Sequence, residues 1–228
     1  MSLAVRAQAE EQMDDPALAP DVYARVLGDL SRVNRWTLAQ RPTLAFLDRA
    51  VGKEKRLRLL DVGFGHGDML RAIARWARRR GVAAELVGVD LNDKSLAAAE
   101  AATPAQMPIA YRIGDYAEME GPFDVIVSSL VAHHMSEEEL VRFLRYMDGH
   151  ATRGWMVNDL HRHRLAHLGY PLLARMLGVH RIVREDGRLS IARSFRPADW
   201  RRILEQAGVE GARIVRRFPF RLCVERLR

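Results

Sequence analysis

The 228-residue chain has a single cysteine, Cys223, and no long uninterrupted apolar run. One cysteine excludes an intramolecular disulfide framework and a cysteine metal cluster. Because a membrane-spanning helix needs about 18 or more apolar residues in succession, we expect no transmembrane segment. The first 20 residues carry four acidic side chains and no apolar segment, which is not the pattern of a secretory signal. We therefore expect a cytoplasmic protein whose first 20 residues are disordered or loosely attached.

Lysine is also scarce, since only 3 of the 36 basic residues are lysine, and the net charge is +7. From Arg153 to the end of the chain there are 17 arginines against 7 acidic residues. Such a charge suits RNA, an anionic membrane surface or an acidic small molecule. The dominance of arginine is typical of a GC-rich genome. We therefore expect no nucleic-acid partner, and weak contact with a membrane surface stays open. The sequence does not indicate an oligomeric state.

Residues 57–68 carry three glycines directly after a short apolar run, which predicts a strand, a tight turn and a helix start. Gly63, Gly65 and Gly67 let the backbone turn sharply and approach a ligand without a clash from a Cβ atom. A dinucleotide site would place its last glycine at position 68, where the pyrophosphate meets the helix N-terminus. Asp68 stands there, and its carboxylate repels a pyrophosphate. We therefore predict S-adenosylmethionine, which carries sulfonium and ammonium groups, over NAD.

Three later segments continue this pattern of apolar runs that end in polar residues. Residues 86–89 lead to Asp90, whose carboxylate can accept the hydroxyl groups of a ribose. Residues 109–113 lead to Asp115, whose side chain can reach an adenine edge. A fourth apolar run ends at Ser129. Together they predict an adenosine-containing ligand.

These motifs, in this order, resemble those of the class I S-adenosylmethionine-dependent methyltransferases over about residues 55 to 160. The matching positions are Asp61, Gly63, Gly65, Gly67, Asp90, Gly114, Asp115, Phe123 and Asp124. The chain looks most like the branch that methylates small molecules, namely quinone precursors, phenols and phenolic polyketides. The resemblance implies the following donor-binding residues: Asp61, Gly63, Gly65, Gly67, Asp68, Asp90, Leu91, Asp115, Tyr116 and Ser129.

Predicted strands and helices alternate from residue 57 onward, which indicates the α/β class with a parallel sheet and helices on both faces. The resemblance implies a Rossmann-like three-layer sandwich, with a seven-stranded, mostly parallel sheet and an antiparallel terminal strand. We expect an N-terminal helical cap region at residues 1–50 and a methyltransferase domain at residues 51–228. A lid-like insertion is expected at about residues 161–193. Because glycines and a proline interrupt residues 164–179, we predict irregular structure there.

Two adjacent histidines are candidates for the base that takes a proton from the acceptor. A phenol has a pKa of about 10, so a base is useful at neutral pH. His133 and His134 follow the fourth predicted strand, at the edge where parallel sheets bind ligands. The segment from His133 to the helix start at Ser136 is similar to the one that begins with the catalytic histidine of phenolic O-methyltransferases. That histidine falls on His133, although position 134 departs from the acid usual in that family.

The segment after the fifth predicted strand can line the acceptor pocket. Asp159 or His161 can face the acceptor, Arg162 can pair with an acidic substrate group, and Tyr170 belongs to an apolar wall. His161 and His163 could join His133 in a metal site, but no compact acid pair accompanies them. We expect no metal.

An RNA or DNA methyltransferase is the main alternative function. Base-amino methylation usually shows an Asn/Asp-Pro-Pro-aromatic turn after the fourth strand, where this chain has Ser128, Ser129, Leu130 and Val131. An RNA-modifying enzyme that uses the basic C-terminal half, and a non-catalytic donor-binding subunit, stay open as alternatives. The sequence favours a methyltransferase acting on a small aromatic (phenolic, polyketide or quinone-type) acceptor, with oxygen as the methylated atom.

Overall fold

The computed structural model describes residues 3–228 and places seven strands in one sheet. The strands are β1 (Arg56–Val62), β2 (Ala83–Asp90), β3 (Ile109–Ile113), β4 (Phe123–Ser129), β5 (Ala151–Leu160), β6 (Arg213–Arg217) and β7 (Arg221–Leu227). The helices are α1 (Pro20–Trp36), α2 (Gln40–Val51), α3 (Asp68–Arg80), α4 (Lys94–Ala102), α5 (Glu137–His150), α6 (Arg164–Met176), α7 (Arg181–Arg193) and α8 (Pro197–Ala207). Short 3-10 helices lie at Gln12–Asp14, Tyr116–Glu118 and Ala132–His134.

The sheet confirms the predicted α/β fold with a Rossmann-like topology. Its strand order is β3-β2-β1-β4-β5-β7-β6. Strands β1 to β5 pair in parallel, whereas β7 runs antiparallel to both β5 and β6. Since the carboxyl ends of parallel strands meet at one edge, the loops after β1, β2, β4 and β5 converge there.

Hydrophobic cores lie on both faces of the sheet. One face packs against α5 and α8, with Phe143 and Trp200 fully buried. The other packs against α2 and α3, with Phe46 and Ile73 fully buried. A third core joins α1, α6 and α7 around Val26. The third core places these three helices over the carboxyl edge of the sheet.

Helix ends follow the local sequence signals. Ser136 forms a capping box, in which its hydroxyl accepts from the Glu139 amide and the Glu139 carboxylate accepts from the Ser136 amide. Gly81 and Gly208 end α3 and α8 in the left-handed conformation.

The prediction of irregular structure for residues 164–179 is wrong. Residues 164–176 of this segment form α6, with Pro171 inside the helix, and α7 follows. A proline in a helix removes one backbone hydrogen bond. Tertiary packing compensates here, because Ala174 and Val183 share the third core and the Tyr170 hydroxyl donates to the Val183 carbonyl at 2.8 Å.

The N-terminal residues are also not loosely attached; residues 1 and 2 lie outside the described part of the chain. Residues 3–18, the N-terminal strap, run across the carboxyl edge of the sheet. Arg6 Nη2 donates to the carbonyls of His133 and Met135, each at 2.7 Å. Its guanidinium lies 4.3 Å from the centre of the Phe195 ring. Arg6 therefore fastens the start of the strap to the loop after β4.

The rest of the strap is held by α7 and α4. The Asp186 carboxylate accepts from the backbone amides of Gln12 and Met13 at 3.0 and 2.9 Å. Lys94 Nζ donates to the carbonyls of Pro16 and Leu18. These partners lie far away in sequence, so no local pattern indicates them. Within residues 3–228, no helix is both long and apolar enough to cross a bilayer.

Arg6→Ala is expected to release the strap, because it removes hydrogen bonds from a cation to backbone carbonyls. Each such bond is worth about 1.5–3 kcal/mol. Hydrogen exchange should become faster at residues 3–15 while the β1 and β4 amides keep their protection. Arg25→Ala, on the exposed side of α1, is the matched control. Equal protection of residues 3–15 in the two variants would show that Arg6 does not hold the strap.

Candidate active site

A cavity of about 900 Å³ opens at the carboxyl edge of the sheet. The loops after β1, β2 and β4 form its floor, and the strap, α1, α6 and α7 form its walls. Ten sequence-predicted site residues line it: Gly63, Gly65, Asp68, Asp90, Leu91, Tyr116, Ser129, His133, His134 and Tyr170. The fold thus brings the predicted donor residues and the candidate bases into one space.

Two glycines of the loop between β1 and α3 have no room for a side chain. A Cβ atom on Gly63 would lie 2.2 Å from Val131 Cγ2, and one on Gly67 would lie 2.2 Å from the Tyr111 hydroxyl. Both glycines have positive φ angles, 78° and 73°. Only glycine meets both constraints, which keeps the backbone at the cavity floor open to a ligand.

Three carboxylates gather below this loop. Asp61 is buried at the end of β1, and its Oδ1 has no hydrogen-bond partner among residues 3–228. Burial, together with the charges of Asp68 and Asp90, raises the pKa of Asp61 well above its usual range. A cationic ligand in the cavity would offset this repulsion. The sulfonium and ammonium groups of S-adenosylmethionine therefore fit these three carboxylates. This agrees with the choice of S-adenosylmethionine over NAD that Asp68 predicted.

Asp90 anchors the same loop from the end of β2. Its Oδ2 accepts from the Gly65 amide at 2.8 Å and its Oδ1 from the Asn92 amide at 2.9 Å. Each carboxylate oxygen keeps further acceptor capacity for a ligand hydroxyl. Burial raises the pKa of Asp90, although these two amide hydrogen bonds oppose that rise. The geometry suits a ribose.

Five predicted site residues do not line the cavity. Asp61 and Gly67 lie directly behind its floor, in the glycine loop. The Asp115 carboxylate is exposed and caps a 3-10 helix by accepting from the Ala117 amide, whereas its neighbour Tyr116 lines the cavity. Arg162 pairs with Asp199 of α8 at 2.9 Å, and His161 is buried outside the cavity.

Asp159, at the end of β5, orients His133 through two hydrogen bonds. Its Oδ2 accepts from the His133 amide and its Oδ1 contacts His133 Nδ1, each at 2.8 Å. Burial alone would raise the pKa of Asp159, but His133 beside it and its hydrogen bonds lower that pKa. An ionised carboxylate accepts only, so His133 Nδ1 donates to it, and in the neutral ring the lone pair lies on Nε2.

Glu11 of the strap faces this lone pair. Its Oε1 lies 3.6 Å from His133 Nε2 and accepts from the Ser190 hydroxyl at 2.8 Å. Its Oε2 lies 3.9 Å from His134 Nε2. Burial raises the pKa of Glu11 to about 7. A neutral Glu11 carboxyl avoids a second negative charge beside the pair formed by His133 and Asp159.

Glu11, His133 and His134 also have the residue types and proximity of a metal site, since one ligand atom from each lies within 4.8 Å of the others. However, Arg193 Nη1 lies 3.8 Å from both Glu11 Oε1 and Asp14 Oδ2. A guanidinium already supplies positive charge there and would repel a metal cation. The arrangement favours proton handling over cation binding, and the absence of a metal stays a prediction.

Sequence analysis missed Glu11, Ser190 and Arg193 as site residues. Glu11 is separated from Ser190 by 179 residues, so its role depends on how the strap docks. A signal was present in α7, because Asp186, Ser190 and Arg193 follow the i, i+4, i+7 spacing that places them on one helix face.

Comparisons with known proteins agree with this geometry. Residues 59–154 match the family model described as a methyltransferase domain. That segment contains the glycine loop, the Asp90 strand and both candidate histidines. This segment is a methyltransferase domain, of the kind that uses S-adenosylmethionine as methyl donor.

Solved methyltransferases share the fold of this methyltransferase. Magnesium protoporphyrin IX methyltransferase of Synechocystis PCC 6803, solved with S-adenosylhomocysteine, is 17% identical; the alignment covers 95% of this chain and 91% of that one, with a TM-score of 0.57. Human N-acetylserotonin methyltransferase, solved with S-adenosylmethionine, is 13% identical over 97% of this chain and 60% of that one, with a TM-score of 0.67. A plantazolicin methyltransferase is 15% identical over 86% and 79%, with a TM-score of 0.61. No curated protein matches this chain by sequence.

Asp90→Ala is expected to weaken donor binding, because it removes the acceptor for the ribose and one anchor of the glycine loop. Loss of hydrogen bonds to a charged group predicts at least about a tenfold loss of affinity. Calorimetric titration with S-adenosylhomocysteine measures this directly. Asp93→Ala, an exposed neighbour, should leave the affinity unchanged. Unchanged affinity in Asp90→Ala would contradict the ribose assignment.

The raised pKa of Glu11 predicts a specific pH dependence of stability. Its pKa of about 7 lies above the ordinary value of 4.5, so the folded state binds this proton more tightly than the unfolded state. The contribution is fully present below pH 4.5 and is lost as pH rises through about 7. Wild type should therefore lose about 3 kcal/mol relative to Glu11→Gln across this window.

Urea denaturation at a series of pH values compares the two proteins, with the exposed Glu10→Gln as control. The free energies of unfolding of wild type and the control should run parallel. If Glu11→Gln also parallels wild type, Glu11 does not titrate in this window.

Proposed function

We propose that this methyltransferase transfers the donor methyl group to a hydroxyl of a small aromatic acceptor, of phenolic, polyketide or quinone type, with His133 as the base. The observation that carries the proposal is the hydrogen bond of 2.8 Å between the buried Asp159 and His133, which lines the donor cavity. A buried carboxylate that fixes an imidazole with a free Nε2 is the arrangement used for general base catalysis.

The donor supplies an electrophilic methyl group on a positively charged sulfur. The residues that would hold it are Asp61, Asp68 and Asp90 with the glycine loop, and Tyr116 at the adenine side. Positioning of the reactants in line contributes up to about 7–11 kcal/mol of barrier reduction. This chain therefore needs no covalent intermediate.

His133 handles the proton of the acceptor. Its Nε2 lone pair takes the proton from the acceptor hydroxyl as the oxygen forms its bond to the methyl carbon. The electron pair of the broken carbon–sulfur bond stays on sulfur, so a neutral thioether and a methyl ether are formed. The imidazolium of His133 is stabilised by the ionised Asp159, whose lowered pKa keeps it charged.

An apolar acceptor suits the remainder of the cavity. Its walls away from the glycine loop come mainly from α1, α6, α7 and the turn between β6 and β7. The apolar lining residues include Leu27, Leu30, Val33, Leu165, Tyr170, Leu173, Ile191 and Phe220. Such walls bind an aromatic or alkylated acceptor. The hydroxyl of the acceptor then contacts the histidines.

We propose that the expected cap and lid regions both serve the acceptor. Residues 1–50 supply the strap and α1, and residues 161–193 supply α6 and α7. Glu11 and Asp14 hold the strap against His134 and Arg193, which excludes water from His133. The strap must open to admit a large acceptor and close again to complete the site.

His133→Ala should lower kcat by about 10²–10⁴-fold, because it removes the base that Asp159 orients. Affinity for S-adenosylhomocysteine should not change, since His133 does not hold the donor. Methyl transfer to a panel of alkylated phenols and hydroquinones measures the effect. Asp159→Asn should lower kcat at unchanged KM for the acceptor. His150→Ala, at the distant end of α5, is the control. Wild-type turnover in His133→Ala would show that His133 is not the base.

A further inference from the structure

An exposed apolar face runs along the whole of α6. Leu165, Leu168, Leu172 and Met176 have 63%, 70%, 64% and 76% of their surface exposed to solvent. Their spacing of three, four and four residues places them on one side of a helix with 3.6 residues per turn. Four exposed large apolar residues in one stripe mark an interaction site more than an ordinary surface.

The turn between β6 and β7 extends this face. Phe218 is 82% exposed and Phe220 is 40% exposed. The Phe220 ring stacks on His163, the residue that caps α6, with ring centres 5.0 Å apart. The α6 apolar face therefore comprises the four α6 side chains and these two phenylalanines.

One border of the α6 apolar face is the cavity. Leu165 and Phe220 belong both to the face and to the cavity lining. At about 100° per residue, Gly169 and Leu173 lie beyond the stripe on the side that turns into the cavity, and both line it. A molecule that covers the face thus lies at the mouth of the acceptor site.

The opposite border is basic. The same helical geometry places the exposed Arg164 and Arg175 along the other edge of the stripe. Residues 160–184 contain five arginines and no acidic residue, and Arg216 is exposed near the turn. This charge distribution is complementary to an anionic surface.

We propose that the α6 apolar face docks on an anionic lipid bilayer. A helix that presents large apolar side chains beside arginines is the pattern of segments that lie in the membrane interface. The apolar side chains enter the acyl boundary, the arginines pair with lipid phosphates, and the cavity mouth faces the bilayer. Resting on the proposed function, this placement lets a lipophilic phenol or quinone precursor enter the acceptor site directly from the membrane.

Vesicle flotation with the full chain tests the proposal. Wild type should bind vesicles that contain phosphatidylglycerol at least about tenfold more tightly than neutral phosphatidylcholine vesicles, and added salt should weaken binding. The double variant Leu168→Gln/Leu172→Gln should lower the partition coefficient by at least about tenfold. Arg164→Gln/Arg175→Gln should lower it for the anionic vesicles alone.

Matched controls come from exposed residues outside the face. Leu227→Gln and Arg201→Gln should bind vesicles as wild type does. Leu168 and Leu172 do not line the cavity. Methyl transfer to a water-soluble phenol should therefore continue in their variants, so a failure of docking is distinguishable from a failure of the proposed chemistry.

Absence of wild-type binding to anionic vesicles would overturn the proposal. Equal binding by Leu168→Gln/Leu172→Gln and wild type would also overturn it. Analytical ultracentrifugation gives the third result: self-association that this variant abolishes, without vesicle binding, would assign the face to a contact between copies of the chain.

Discussion

The carboxylate of Asp159 is the constraint on which the site depends. It holds the amide and the ring of His133 at 2.8 Å each, and so connects the end of β5 to the loop after β4. The carbonyl of the same His133 then accepts from Arg6, which fastens the N-terminal strap. One buried charge thereby links His133 to the segment that covers it.

The free-energy cost of burying the Asp159 carboxylate is offset by hydrogen bonds from neighbouring groups. A buried carboxylate needs several donors to remain ionised, and Asp159 has the His133 amide, the His133 ring and the Leu160 amide. Asp61 has no such set and its pKa is raised well above its usual range. The two aspartates at the same edge of the sheet therefore differ in role. Asp159 is satisfied within the protein, whereas Asp61 is buried beside the like charges of Asp68 and Asp90.

The parts of this structure that were predictable from sequence are those coded by neighbouring residues. The glycine loop and Asp68 lie within one turn of each other, and the parallel sheet follows from alternating strands and helices. The Ser136 capping box needs only residues three apart. Both candidate histidines were named because they follow a strand end. Their surroundings in the fold were not needed for that prediction.

The features of the fold and site that could not be predicted from sequence depend on contacts between residues far apart in the chain. Glu11 reaches the site only because Asp186 and Arg6 dock the strap, and nothing near Glu11 in sequence indicates this. The helix α6 forms despite Pro171 because its packing on α7 outweighs the lost hydrogen bond. Arg162 was expected at the acceptor, but an ion pair with Asp199 holds it. Local propensity cannot register any of these three effects.

The most direct test of the account is the protonation of the His133 ring in the folded protein. Nitrogen-15 NMR of histidine-labelled protein, assigned by comparison with His133→Ala, distinguishes a protonated Nδ1 from a protonated Nε2. We expect a protonated Nδ1 with a strongly downfield proton, because the ionised Asp159 accepts from it, and an unprotonated Nε2 at neutral pH. A protonated Nε2 on a neutral ring would contradict the account, since His133 would have no lone pair to take the acceptor proton.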